Sequence, residues 1–393
     1  MRPPDRLPGP ARATGDACQP PAVPGILTAD QLIATGRAIA AAQQPDGSIG
    51  WPDGRVDAWN HVECAMALSV SGLRAEARHA YAWLAAAQQP DGSWPVRRAS
   101  GHDEEWTAES NHAAYCAVGV WHELLVTGDE DFAAQMWPVV QAGIGFAIGL
   151  QTARGEITWR RREDGTPDSF ALLTGSASMY QSLRCAIALA EHLGDPQPDW
   201  ELAVTLLGHA VACHREAFAD KSRFSMDWYY PVLGGAVRGA AAEQLLKADW
   251  DTFVVPGLGV RCVRDEPWVT GAETCELAMA LDAIGHRDRA LELFDQVQFL
   301  RAEDGGYWTG WQFQTGKHYP HEQSSYTAAA IVLAADVLAD GRAKRAARIF
   351  RDAAAGPEIW QPTDAAACGC TPEGAGPGKP PTTGPAAIEP VVG

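Results

Sequence analysis

Four carboxylates in this 393-residue chain each open a helical pattern and each stand among aromatic and amide side chains: Asp57, Asp227, Glu273 and Glu322. Trp59, Asn60 and His61 follow Asp57; Trp228, Tyr229 and Tyr230 follow Asp227; Trp268 and Glu276 flank Glu273; Trp308, His321 and Tyr326 surround Glu322. Glu109, Asn111 and Tyr180 hold comparable places at two further helix starts. Aromatic faces stack on the C–H faces of a sugar while amides and carboxylates bond its hydroxyls. Hydrolysis of a glycosidic bond needs two carboxyl groups flanking it, about 6.5–9.5 Å apart for inversion and about 5–5.5 Å for retention. Glu322 with either Asp227 or Glu273 is the leading pair, and Asp57 completes the candidate set. Each helix-start Asp is also an ordinary cap when taken singly. Glu63 and Glu276, one turn deeper, serve equally well as site groups or as buried partners of an arginine.

The same residues admit two other readings. Trp59, Trp228, Tyr229, Tyr230, Trp268, Trp308 and Tyr326 could line a dry cavity that stabilises a carbocation through its ring faces, with one carboxyl as the acid. They could also form a non-catalytic surface for a glycan or a partner protein. His61, His112 and His321 lack metal-ligand spacing, so no metal or cofactor is expected. A small-molecule substrate, an oligosaccharide or alternatively an isoprenoid, is the expected partner.

A formal net charge of -18 opposes binding to nucleic acid. Arg160, Arg161 and Arg162 form the one basic run, read as a solvated loop or an anionic-substrate contact. No apolar run reaches the ~18 residues of a membrane span. The first ten residues carry positive charge but no apolar core, which points away from secretion and towards the cytoplasm. Nine cysteines without paired spacing read as small buried hydrophobes in a reducing compartment.

The elements that must position these residues are helices separated by one repeated turn. Gln43-Gln44-Pro45-Asp46-Gly47-Ser48 recurs as Gln88-Gln89-Pro90-Asp91-Gly92-Ser93, with looser copies from Gln151 to Gly155 and Arg301 to Gly305. Each follows an apolar run with helical spacing, and each is a stop: Pro ends the helix, Asp bonds the turn backbone and Gly supplies a positive φ. The aromatic that follows is expected to pack the turn onto the helix ends. Other helices end in a bare glycine, at Gly72, Gly128, Gly194, Gly285 and Gly341, and are small and apolar all round. The gap of 91 residues between Gly194 and Gly285 is long enough to hide another ending. An all-round apolar helix is a buried one, so the two classes predict an all-α fold, an (α/α)6 toroid of six helical hairpins. Twelve helices are expected, the eighth, within Val232–Leu246, the least clearly marked and the last over Ala343–Arg351. The toroid is expected over 25–353, with a disordered Pro-rich segment at 1–24 and a disordered Gly/Pro/Ala-rich tail at 354–393.

The segment Tyr81-Ala82-Trp83-Leu84 through Gln88, Gly92 and Trp94 resembles the QW repeat of squalene-hopene cyclases and, with it, the prenyltransferase-like toroids. Their Asp-x-Asp-Asp and Asp-Asp-x-x-Asp signatures are missing. Thr127 to Phe132, Trp137-Pro138, Leu150 to Trp159, and Gly175 to Tyr180 with Gly194-Asp195 resemble the middle of glucoamylase-type six-hairpin glycosidases. That resemblance implies a carbohydrate-active enzyme whose second catalytic Glu precedes the last inner helix, where Glu322 stands. It departs at the general acid: just after Trp159, where that family has Glu, this chain has Arg160.

Overall fold

The computed structural model describes residues 20–95, 97–98, 108–339 and 348–351. Gly341, the start of the helix expected over Ala343–Arg351, Cys18, Cys368, Cys370, and the segments 1–19 and 354–393 lie outside the described residues. The helices are α1 (Ala29–Ala42), α2 (Ala58–Val70), α3 (Arg74–Ala87), α4 (Ser110–Thr127), α5 (Glu130–Ile148), α6 (Leu173–Leu193), α7 (Pro198–Cys213), α8 (Met226–Leu233), α9 (Gly239–Ala248), α10 (Trp250–Phe253), α11 (Gly271–Ala283), α12 (Arg287–Gln296), α13 (Ser325–Leu338) and α14 (Arg348–Arg351).

An inner ring forms from α2, α4, α6, α8, α11 and α13, each packed on the next and α13 returning to α2. Outside it run α1, α3, α5, α7, α9 and α12, so the expected α/α toroid is the fold. The inner helices carry alanine and small apolar residues on every face, as in Ala65–Ala67 and Ala328–Ala330, all buried. Small side chains let six helices meet around one axis without leaving voids. Thr28 caps α1 through the capping box with Gln31. Gly128 and Gly194 close α4 and α6 in the left-handed conformation, as their positions predict.

The eighth expected helix is two. Inner α8 ends at Gly234, with Gly235 at φ 93°, and outer α9 begins at Gly239. This is the ending hidden in the long gap. Pro231 inside α8 supplies no N–H, and Gly234 lies so close to Ala177 O that any side chain there would collide. The apolar pattern runs through both pieces, so periodicity alone does not divide them. At the chain end, α14 packs on α11 and α13, with Ile349 and Phe350 buried and Ile349 O accepting from Gln181 of α6 at 3.2 Å.

The repeated turn stitches one outer helix to the next. Gln43 Nε2 donates to Gly47 O within its own turn and to Glu76 O of α3; Gln88 does so to Gly92 O and Val139 O of α5; Gln151 to Gly155 O and Ala203 O of α7. The turn glycines, at φ 91° to 104°, press on the same neighbours, at His79, Ala142 and Leu206. The fourth copy carries the stitching from the end of α12 back to α1: Gly305 lies against Ala34, and Thr35 Oγ1 donates to Gly305 O at 2.9 Å.

The residue that packs each turn inward is the second after the glycine, and it need not be aromatic: Ile49, Trp94, Ile157 and Tyr307 are all buried. This corrects the expectation for Trp51, Trp159 and Trp308, which lie further along and leave the turn for the mouth. Beyond the turns come short antiparallel strands, β1 (Arg55–Val56) with β2 (Arg97–Arg98) and β3 (Ala108–Glu109) with β4 (Arg160–Arg161). A five-stranded sheet of β5 (Val254–Val255), β6 (Gly259–Arg261), β7 (Trp268–Thr270), β8 (Gly310–Gln312) and β9 (Lys317–His318) follows the same plan. All lie in connections that lead into inner helices, so they edge the end of the ring where those helices begin. No helix among the described residues is long and apolar enough to cross a membrane. The six described cysteines are free thiols, five of them buried.

Replacing Gly92 by Ala sets a Cβ against Ala142 O in a backbone conformation that L residues avoid. The substitution is expected to cost ~3 kcal/mol or more. Chemical denaturation of Gly92→Ala beside Gly145→Ala, whose Cβ meets nothing within 4 Å, checks this; equal midpoints would remove the stitch from the stability account.

Candidate active site

Because the inner helices run parallel, their N-termini converge on one mouth, and the partial positive charge of each helix start faces it. Asp57 is the N-cap of α2, accepting from Asn60 N at 2.8 Å and from the Trp51 indole. Trp51 in turn lies 5.4 Å from the ring of Tyr326 on α13. Tyr326 donates to Glu276 Oε1 at 2.8 Å, Tyr230 to the same oxygen at 2.7 Å, and Tyr229 to Oε2. Tyr230 meets Trp59 edge-on, and Trp59 Nε1 donates to Glu63 Oε1 at 2.9 Å, where Tyr115 also donates at 3.0 Å. His112 lies edge-on to Trp59 and 3.6 Å from Glu109, which accepts from Trp159 Nε1 at 2.9 Å. Asp57, Trp59, Glu109, Tyr229, Tyr230, Glu276 and Tyr326 thus belong to one continuous basin of carboxyl and aromatic groups.

Glu273 stands one turn before Glu276 on α11, 2% exposed, and neither of its carboxyl oxygens has a hydrogen-bond partner. Burial pushes its proton affinity above the ordinary carboxylate range, with Thr270 and Cys262 beside it pulling the other way. Asn111 Oδ1 and His112 Nδ1 are likewise buried and unpartnered. Burial also lifts Glu63 to about 7, the Trp59 and Tyr115 bonds opposing and Asp57 adding to the rise. It lifts Glu276 to about 8, helped by Glu63 and Glu273 and opposed by the tyrosines. Among the described residues neither carboxyl pairs with an arginine, the alternative that the sequence left open.

Other expected site residues face elsewhere. Asn60 reaches Ser325 Oγ at 3.4 Å and holds α2 against α13. His61 points outward: Nδ1 accepts from Ile49 N, Nε2 lies 2.8 Å from Ala80 O, and burial lowers its pKa to about 4. Tyr180 packs on Gly208 of α7, and Trp228 donates to Leu245 O and stacks on Phe253. Asp227 accepts from the Thr174 hydroxyl at 2.8 Å, which ties α8 to α6, and lines a separate 230 Å³ cavity with Arg215 and Phe218. Trp268 packs on Cys262 and Val263 and meets Tyr319 edge-on.

Glu322 is half-buried at the rim; burial, with Asp53 nearby, raises its pKa while Arg55 lowers it. Beside it Trp308 stacks on both His318, at 4.4 Å, and His321, at 4.9 Å. Arg160 lies over Trp159 and, with Arg162, grips Asp168; Arg161 pairs with Asp91. The basic run is therefore engaged within the fold.

Sequence reasoning missed Trp51 and Tyr115 as parts of the basin. Tyr115 lies mid-helix in an apolar run, and only its hydroxyl marks it. Trp51 is masked by the repeat, whose turn needs no aromatic at that place.

No family model matches the sequence. The curated protein named MMP endo-(1,4)-3-O-methyl-alpha-D-mannosidase, from Mycolicibacterium hassiacum, is 55% identical over 319 residues, covering 81% of this chain and 89% of that protein. Among solved structures, a glycosidase superposes with a TM-score of 0.61 at 12% identity over 79% of this chain and 97% of its own. The GH63 mannosylglycerate hydrolase from Thermus thermophilus, in complex with glucose, gives 0.58 at 12% identity over 77% and 99%. At such identities these two likenesses speak for the fold alone.

Raised carboxyl pKa values make the folded chain hold protons that the unfolded chain, at about 4.3, has released. Glu63 and Glu276 therefore favour folding most at low pH, and that contribution is lost as pH rises from about 4.5 through about 7 and about 8. The melting temperature of Glu276→Gln minus that of the parent is expected to rise steadily between those limits. A difference that does not vary with pH contradicts the assignment.

Proposed function

This chain belongs to the family of the Mycolicibacterium mannosidase and is a glycoside hydrolase of the α/α-toroid type, and from that premise we propose that it cleaves internal α-(1,4) linkages between 3-O-methylmannose units. The repeats that also resemble cyclases describe the toroid's construction, which both branches share. The compartment we propose is the cytoplasm, in keeping with the free thiols.

The observation that carries the mechanism is the buried Glu273 carboxyl with no hydrogen-bond partner. Burial raises the proton affinity of a carboxyl in that setting, which suits it to give a proton to a leaving group. Glu273 is the general acid: its proton passes to the glycosidic oxygen as the bond to the anomeric carbon breaks. Asp57 is the base. Its two oxygens accept N–H bonds at a helix N-terminus, and each keeps a lone pair for a water proton. Water loses a proton to Asp57 and bonds the anomeric carbon from the face opposite the leaving oxygen, which inverts the configuration. Arg160, engaged with Asp168, takes no part in the proton transfer. Glu322, at the rim beside Arg55, borders the cleft without meeting the reacting bond.

Glu273→Gln and Asp57→Asn are expected to fold as the parent does and to lose ~10²–10⁴-fold in kcat on an α-(1,4)-linked 3-O-methylmannose oligosaccharide. Glu322→Gln and Asp227→Asn should each keep kcat within about tenfold. Loss with Glu322→Gln as deep as with Asp57→Asn would move the second carboxylate to Glu322. Proton NMR of the first turnovers should show the β-anomer at the new reducing end; the α-anomer there would make Asp57 a nucleophile instead.

A further inference from the structure

Three tryptophans donate an indole N–H to a carboxylate of the mouth: Trp51 to Asp57, Trp59 to Glu63 and Trp159 to Glu109. Two of them have a ring face occupied. Arg55 lies over Trp51 at 5.5 Å, with Tyr326 tilted against it, and Arg160 lies over Trp159 at 4.4 Å, with Phe170 tilted against it. Trp59 differs. Its ring neighbours are Tyr230 at 88°, His112 at 62° and Tyr115 at 48°, so among the described residues no aromatic ring lies parallel to it, and no guanidinium covers it. The side chain is half-buried and stands two residues after Asp57.

Glu63 fixes the orientation of this ring. One oxygen, Oε1, accepts both the Trp59 indole N–H and the Tyr115 hydroxyl, joining α2 to α4 and closing the rotation about the Trp59 side-chain bonds. Oε2 accepts no hydrogen bond among the described residues. A half-buried indole held by its N–H and its edges beside a carboxylate, with neither a parallel ring nor a guanidinium stacked on it, is an arrangement suited to the C–H face of a pyranose.

We propose that Trp59 is the stacking wall for the sugar unit adjoining the scissile bond, and that Glu63 is the positioning residue that holds it there. This inference rests on the glycosidase reading above and assigns within it one binding residue and one supporting residue. Glu63 acts through acceptance of two hydrogen bonds, so an amide oxygen serves in its place and an apolar side chain does not.

Steady-state kinetics on the α-(1,4)-linked 3-O-methylmannose oligosaccharide test this, together with calorimetric binding of the same compound to each variant built on Glu273→Gln. Trp59→Ala is expected to raise KM and weaken binding at least tenfold while kcat changes less than KM. Glu63→Gln should stay within about threefold of the parent in both parameters, and Glu63→Leu should repeat the Trp59→Ala pattern. Circular dichroism and melting temperature accompany each variant; if Glu63→Leu does not fold, the Trp59→Ala result and the rescue by Glu63→Gln carry the test. An unchanged KM in Trp59→Ala, with the parent active, overturns the inference and leaves the hydrolase reading intact. A hundredfold loss of kcat in Glu63→Gln overturns it too, by making Glu63 a proton-transfer group. A parent that neither binds nor cleaves the oligosaccharide overturns the proposed substrate and this inference together.

Discussion

A glycine carrying a positive φ, pressed against the backbone of the next outer helix, is the contact on which the rest of this toroid depends. The turn glutamine doubles it, closing its own turn with one N–H and reaching the neighbouring helix with the other. In three copies the glycine permits the approach and the glutamine satisfies carbonyls that it would otherwise leave unbonded; in the fourth, where Arg301 replaces the glutamine, Thr35 donates to the glycine carbonyl instead. Because the fourth copy meets α1, the stitches run unbroken from α12 through α1, α3 and α5 to α7. Outer helices held side by side in this way leave a ring of inner ones with a common direction.

That common direction decides where polarity accumulates. Six helix starts at one end gather unsatisfied backbone N–H groups and the positive ends of their dipoles, a setting that tolerates carboxylates near the surface of an apolar core. Below the starts, no lysine or arginine among the described residues neutralises them. Glu276 is surrounded by three tyrosine hydroxyls and Glu63 by an indole and a fourth hydroxyl, so the floor of the basin is solvated by weak neutral donors. Neutral donors only partly offset burial, which is why both carboxyls hold protons to an unusually high pH.

The carboxylates of the mouth differ in environment more than in type. Asp57 is met by N–H donors, Glu276 by hydroxyls, Glu273 by no hydrogen-bonded donor, and Glu322 by partial solvent. The proposed division into acid and base rests on these differences in donors and burial. Arg160 illustrates the same point from the other side. The place that resembles a general-acid position, on strand β4, is occupied by a guanidinium committed to Asp168 and Trp159, and the proposed proton donor stands on helix α11.

What the sequence determined by itself was the architecture. The repeated turn, the two helix classes and the glycine endings are local events, encoded within a few residues by backbone conformation and by apolar spacing, and they led to the six-hairpin toroid. The same local logic placed Asp57, Trp59, Glu273, Glu276 and Tyr326 near helix starts. It failed where one apolar run spans two helices, at α8 and α9, because the break is set by backbone conformation at Gly235 and by the contact of Gly234 with Ala177, neither of which the apolar spacing shows. Which residues share the basin was decided by the tertiary structure. His61, Tyr180 and Trp228 lie on or beside the same helices as Glu63 and Tyr230, yet face the outer layer, because rotation of an inner helix is set by packing on several neighbours at once. Trp51 and Tyr115 join the basin through partners 6 and 52 residues away. A carboxyl's partners, and with them its readiness to keep or give up a proton, are contacts of that kind, fixed only when the ring closes.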